Sequence, residues 1–278
     1  MSSREELAGR TALVTGAGSG NGAAIARRLR EEGAEVVLLD RSAAGLEAVL
    51  DTWSASLKAG TRSVTADITD DEAIAETFGA LERLDILVNN AGIVDPGAFP
   101  ELDVDGFRHV LDVNLLGAYR CTREAHPLLV GSDAGRVINI TSMEAHWLLS
   151  TGGHVQPHYN ASKAGLALLT QALAFEFASS GVTVNAIAPG IIETALTSHT
   201  LAQDDAARWI IDCIPLDRVG RPEDVAAAAA FLASDDAAYL TGISIPVDGG
   251  LTMGWFRPAQ SAAAASSATR NDPAIGSS

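Results

Sequence analysis

Short apolar runs alternate with longer helical patterns along most of this chain, and that alternation admits few folds. The runs are Thr11–Thr15, Glu35–Asp40, Ser63–Ala66, Ile86–Asn89, Arg136–Thr141, Thr183–Ala188 and Ile243–Val247. Val36-Val37-Leu38-Leu39 and Val137-Ile138-Asn139-Ile140 are apolar at nearly every position, as parallel strands covered on both faces require. Between the runs, Ala23–Glu32, Ala43–Lys58, Asp70–Leu84 and Ser162–Ser179 read as helices. Gly33 and Gly181 stand where two of them should stop. Strands with interposed helices predict an α/β fold, a doubly wound parallel sheet of about seven strands flanked by helices. No linker or repeat divides the chain. One domain is expected over 1–256, followed by an Ala/Ser-rich tail, 257–278, with little core-forming capacity.

Composition excludes several partners. Of 278 residues, 35 are acidic and 19 basic, a formal charge of −16. Such a chain has no general attraction to nucleic acid or to an anionic membrane. Its two cysteines cannot form a disulfide framework or a cysteine-rich zinc module. No run approaches the roughly 18 apolar residues of a membrane span. A cytoplasmic protein with neither a nucleic-acid nor a membrane partner is expected.

The first strand runs into Thr15-Gly16-Ala17-Gly18-Ser19-Gly20-Asn21-Gly22 and then into a helix. Glycines let the backbone turn tightly and approach a diphosphate, and the helix N-terminus supplies free N–H groups. The pattern is T-G-x-x-x-G-x-G; the common G-x-G-x-x-G fails at its sixth position, Asn21. Asp40 ends the second strand, 20 residues after Gly20. A carboxylate there can accept from a ribose diol and would repel a 2′-phosphate, which favours NAD over NADP. Arg41, next in sequence, could instead pair with a phosphate.

Tyr159 and Lys163 stand at i and i+4, on one face of a helix. Ser142 ends the strand before it. Asn89-Asn90-Ala91-Gly92 ends another strand on the same edge of the sheet, where ligands of doubly wound folds bind. Asn114 falls in a later helical segment.

With these motifs in this order, the chain resembles the short-chain dehydrogenase/reductase family over nearly the whole domain. The resemblance also rests on Asp67 after the third strand, Pro189-Gly190, Arg218-Val-Gly-Arg-Pro-Glu-Asp-Val225 and Val247-Asp248-Gly249-Gly250. It implies a Rossmann-type sheet and hydride transfer between a secondary alcohol/ketone pair and a nicotinamide cofactor. Tyr159 would be the general acid/base, aided by Lys163, with Ser142 holding the substrate oxygen and Asn114 positioning a proton-relay water. Cofactor contacts are implied at Gly16, Ser19, Gly20, Asn21, Gly22, Asp40, Arg41, Asp67 and Ile68. Further ones are implied at Asn90, Ala91, Gly92, Tyr159, Lys163, Pro189, Gly190, Ile192 and Thr194. Two long helices, about Val104–Leu128 and Tyr159–Ser179, resemble those through which family members form homotetramers or homodimers.

Ser142 and Tyr159 are 17 residues apart, a few more than is usual in the family. The added segment borders the substrate. Glu144, Trp147 and His154 are its candidate contacts, with Glu193 from a later lid. A metal bound by His154 and His158 with His146 or Glu144 is the weaker alternative, and no metal is expected. Two other functions stay open. One is an NADPH-dependent 3-ketoacyl-thioester reductase, disfavoured because an acidic carrier protein would meet an acidic partner unless Arg120, Arg123 or Arg208 formed a basic patch. The other is a non-catalytic NAD-sensing protein, disfavoured by the complete set Asn114, Ser142, Tyr159 and Lys163.

Overall fold

A computed structural model describes residues 6–95, 99, 101–149, 155–194, 197–198 and 210–253. Seven parallel strands form one sheet in the order β3-β2-β1-β4-β5-β6-β7. They are β1 Thr11–Thr15, β2 Glu35–Asp40, β3 Thr61–Thr65, β4 Ile86–Asn89, β5 Arg136–Ile140, β6 Thr183–Pro189 and β7 Ser244–Val247. The order reverses between β1 and β4, so the connections leaving these strands part to opposite sides and open a crevice at their C-terminal ends.

Helices cover both faces. On one, α1 (Gly20–Glu31) packs against the sheet beside α8 (Pro222–Ala233). Their buried residues Ile25, Leu29, Val225 and Leu232 meet Val14, Leu38 and Ile138. On the other, α4 (Asp71–Gly79), α6 (Ala118–Val130) and α7 (Pro157–Phe177) bury Phe78, Leu129 and Phe177 against Leu13, Leu87 and Val137. This double covering is why β1, β4, β5 and β6 are buried along their whole length.

Several expected boundaries move, each for a local reason. The predicted third strand, Ser63–Ala66, is Thr61–Thr65, an edge strand whose polar residues face outward. The single helix expected over Ala43–Lys58 is two, α2 (Ala43–Asp51) and α3 (Ala55–Lys58). The chain breaks where Trp53 turns into the core and Ser54 caps the second piece. The helix expected to reach Leu84 stops at Gly79, after which Leu81 and Leu84 fold inward. The long helix over Val104–Leu128 is α5 (Val104–Leu111), a π-helical segment (Asp112–Gly117), and α6. Helix α7 begins at Pro157, earlier than the pattern suggested; proline suits a first helical turn because it has no N–H to leave unsatisfied. The tail 257–278 lies outside the described residues.

Candidate active site

A cleft of about 580 Å³ opens at the C-terminal ends of the central strands. It gathers Gly16, Gly20, Asp40, Asp67, Asn90 and Gly92 at one end. Ser142, Glu144, Tyr159 and Lys163 lie at the other. Ser19, Asn21, Arg41, Ile68 and Ala91 also line it, as do Pro189, Gly190, Ile192 and Thr194.

The glycine turn is shaped for close backbone approach. Gly16 and Gly20 have positive φ, 65° and 51°. A Cβ on Gly22 would lie 2.1 Å from the Gly16 carbonyl oxygen, so Gly22 sets the packing of turn on helix although it does not line the cleft. Asn90 fastens the turn: its amide donates to the Thr15 and Gly16 carbonyls at 3.0 and 3.1 Å. Helix α1 starts at Gly20 with no acidic residue in its first turn and no side-chain cap, leaving its N–H groups available to an anion. Asn21 faces the cleft, and its Oδ1 is buried with no hydrogen-bond partner among the described residues. Asp40 accepts the Gly18 N–H at 2.9 Å and the Ser42 N–H at 2.8 Å. Arg41 is exposed beside it and forms no ion pair among the described residues. Asp67 is held by the Thr69 N–H and hydroxyl at 2.9 and 2.8 Å. Burial pushes its pKa up, but those hydrogen bonds outweigh it and leave the carboxyl below its ordinary value. A glycine cradle, open helical N–H groups and a carboxylate at the end of β2 fit a dinucleotide.

The other end is built by β5 and α7. Ser142 follows β5, is buried, and takes the Glu144 N–H at 3.1 Å. One helical turn separates Tyr159 from Lys163, whose Nζ lies 5.8 Å from the tyrosine ring centroid. Burial lowers the Lys163 pKa to about 8. Tyr159 is part-buried with its phenol desolvated, and burial raises its pKa to about 12. The Ser142 hydroxyl draws it down and the Glu144 charge pushes it further up. Asn114 does not line the cleft. The π-helical segment carries it to a buried position, where its amide donates to the Ile93 carbonyl at 2.9 Å and to Ser162 Oγ at 3.0 Å. Its Oδ1 accepts the Ile93 N–H at 2.8 Å. A Cβ on Gly92 would be 3.3 Å from both Asn114 Oδ1 and Lys163 Nζ, so the amide and the ammonium flank one point.

The predicted substrate contacts divide. Glu144 lines the cleft. Trp147 is half exposed and Glu193 is exposed, and neither is among the residues that form the cleft wall. The reason is local: Met143–Ala145 forms a single 3-10 turn, and Trp147 leaves it on the outer side. His154, and Arg208 of the possible basic patch, lie outside the described residues. Met143, Leu149, Val155, Ile191, Thr197 and Ile210 also line the cleft and carried no chemical signal in the sequence. His158 is fully buried, with Nε2 2.9 Å from the Asp95 carbonyl oxygen, so it ties the start of α7 to the loop after β4. Among the described residues no group of three or more His, Cys, Asp or Glu is placed to hold a metal, and no helix is long and apolar enough to cross a membrane.

Known proteins share this arrangement. A family profile described as Enoyl-(Acyl carrier protein) reductase matches residues 16–252. The 3beta-hydroxysteroid dehydrogenase 1 of Eggerthella lenta is 40% identical over 259 residues, 90% of this chain and 96% of that protein. The cis-4-hydroxycyclohexanecarboxylate dehydrogenase of Sinomonas cyclohexanicum is also 40% identical, over 89% of this chain and 98% of its own. A solved structure of a candidate NAD(P)-dependent gluconate 5-dehydrogenase from Beutenbergia cavernae, with bound NADP at low occupancy, superposes with a TM-score of 0.82. It is 40% identical and covers 90% of this chain and 100% of that one. With the parallel sheet, the glycine turn and the tyrosine–lysine pair in one cleft, the chain belongs to the short-chain dehydrogenase/reductase family, as an NAD(P)-dependent oxidoreductase acting on CH–OH groups.

Proposed function

We propose that the protein interconverts a secondary alcohol and a ketone using NAD, with Tyr159 as the general acid/base. The meeting of Ser142, Tyr159 and Lys163 in one cleft with the glycine turn carries this reading. When bound, the nicotinamide supplies the hydride acceptor or donor. The chain's own residues handle the proton. Ser142 Oγ and the Tyr159 hydroxyl converge on the substrate oxygen, and Tyr159 takes or returns its proton. Lys163 holds a positive charge beside the phenol and so favours phenolate, against the desolvation that raises it. Asn114, fixed by Ile93 and Ser162, stands beside Lys163 where a relay water would need an acceptor. The NAD preference, and with it a mild preference for oxidation, rests on Asp40.

NADP use is the second reading. Arg41 lines the same end of the cleft with its guanidinium in no ion pair among the described residues, and the Beutenbergia structure holds NADP. The thioester-reductase alternative is kept in view by relatives named 3-oxoacyl-[acyl-carrier-protein] reductase, at 38% identity. Against it, two of the arginines that could have formed a basic patch are occupied. Arg120 pairs with Asp71 and Asp112, and Arg123 with Glu124. An NADH-absorbance screen of secondary alcohols with NAD and NADP tests the assignment. Tyr159→Phe should lose turnover by about 10²–10⁴-fold while keeping cofactor binding. Unchanged turnover would remove Tyr159 from the mechanism, and tighter NADP than NAD binding would remove the Asp40 argument.

A further inference from the structure

The substrate end of the cleft has an uneven distribution of charge. Its described polar lining includes Thr141, Ser142, Glu144, Gln156 and Tyr159, set among apolar Met143, Leu149 and Val155. Among the described residues two basic ones line the cleft, Arg41 and Lys163, and neither is placed to meet an anion at that end. Arg41 follows β2, which is separated from β5 by β1 and β4. Three strand spacings place it roughly 14 Å from the strand that delivers Ser142. Lys163 stands behind the tyrosine, donating to the Ile140 carbonyl at 2.9 Å. The one formal charge presented to the substrate, among the described residues, is the Glu144 carboxylate.

Glu144 is also anchored. Its N–H donates to Ser142 Oγ, and its carbonyl accepts the Asn160 amide at 3.1 Å. Leu149 and Asn160 favour its charged form, against burial. Burial raises its pKa, which marks the site as poorly solvated and makes a second negative charge there costly. Its charge already bears on the phenol of Tyr159.

We propose that Glu144 determines specificity at this end of the cleft, selecting uncharged alcohols or ketones that carry a further O–H or N–H donor and rejecting those that carry a carboxylate. An acceptor fixed beside Ser142 rewards a donor, and among the described residues no cation at that end compensates an anion. The inference rests on Ser142 and Tyr159 marking the reacting end.

The test compares 4-oxocyclohexanecarboxamide with 4-oxocyclohexanecarboxylate, nearly equal in shape and different in charge. Binding is measured by calorimetry on NADH-loaded protein carrying Tyr159→Phe, so that turnover does not intrude. The carboxamide should bind at least tenfold more tightly than the carboxylate. Glu144→Gln, and separately Glu144→Ala, should bring the ratio within about threefold. Equal or tighter carboxylate binding in protein that retains Glu144 overturns the proposal, as does a failure of the carboxamide to bind. A ratio unchanged in both variants overturns it too. If one variant does not fold, the other and the Glu144-containing protein still decide it. The underlying reading fails separately, when Tyr159→Phe protein still reduces a ketone at the wild-type rate.

Discussion

Lys163 Nζ lies 5.8 Å from the centroid of the Tyr159 ring, one turn along the same helix, and the two groups titrate away from their ordinary values in opposite directions. For Lys163 the folded value falls from 10.5 to about 8. Below about pH 8 both folded and unfolded chains hold that proton. Between about 8 and 10.5 the unfolded chain binds more protons, so this group's contribution to stability rises with pH across that window. Lys163→Met should abolish the rise. Melting temperatures of the two proteins across pH 7–10 check it, and parallel curves would count against the lowered lysine.

Asp40 should govern cofactor choice. Its oxygens hold the Gly18 and Ser42 N–H groups, and the residue lines the glycine-turn end of the cleft. Asp40→Ser should weaken NAD binding and shift the NADP/NAD affinity ratio toward NADP by about tenfold or more, an effect near 1.4 kcal/mol. Arg41→Ala should move the ratio the other way. Fluorescence titration with NADH and NADPH reads both.

Two glycine substitutions should have opposite outcomes. Gly22→Ala would place a methyl 2.1 Å from the Gly16 carbonyl oxygen, and backbone cannot yield as a flexible side chain would. A loss of about 2–4 kcal/mol with disrupted cofactor binding is expected. Gly79→Ala, at the exposed end of α4, meets nothing within 4 Å and should stabilise by about 0.5–1 kcal/mol. Urea denaturation separates them.

Asp85 should matter to stability and not to turnover. Its carboxylate is fully buried at the N-terminal end of β4, away from the cleft. It accepts the Thr11 N–H and Arg83 Nε, both at 2.7 Å, and the Ser132 hydroxyl. Burial raises its pKa, but these hydrogen bonds outweigh it and hold the carboxyl below 3.8. The stability it contributes is present above the unfolded value and is lost as pH falls through the folded one. Asp85→Asn should cost about 2–4 kcal/mol at pH 7 and less in acid, with kcat/KM nearly unchanged. A large loss of kcat at full stability would contradict this.

How much of the site was legible depended on the kind of signal each residue carries. Gly16, Asp40, Tyr159 and Lys163 are chemically distinctive and stand at fixed offsets from strand ends, so pattern alone placed them at one edge of one sheet. Asn114 was legible as a residue but not as a conformation. The π-helical segment that carries it is held where Gly117 packs against Ile68, with only 2.4 Å between an added Cβ and the isoleucine Cδ1. That is a long-range contact, which local periodicity does not record. Trp147 shows the converse. An aromatic close to Ser142 invited a substrate role, yet a single 3-10 turn sends it outward while Met143 turns in.

The sequence by itself determined the α/β class, the strand cores and the glycine turn, because these follow from periodicity and backbone sterics within a few residues. It also determined which residue types could exchange a proton. Only the tertiary structure decided which of them share a cleft and what each one costs in charge. Strand order places Arg41 far from Ser142, and the packing of α7 on β5 desolvates Tyr159 and Lys163 together. The 17-residue interval before Tyr159 shows the same division. Its length is a property of the chain, whereas the exposure of Trp147 and the burial of His158 against Asp95 are properties of the fold. Electrostatic coupling depends on distance and burial through space, and neither is written in the order of residues along the chain.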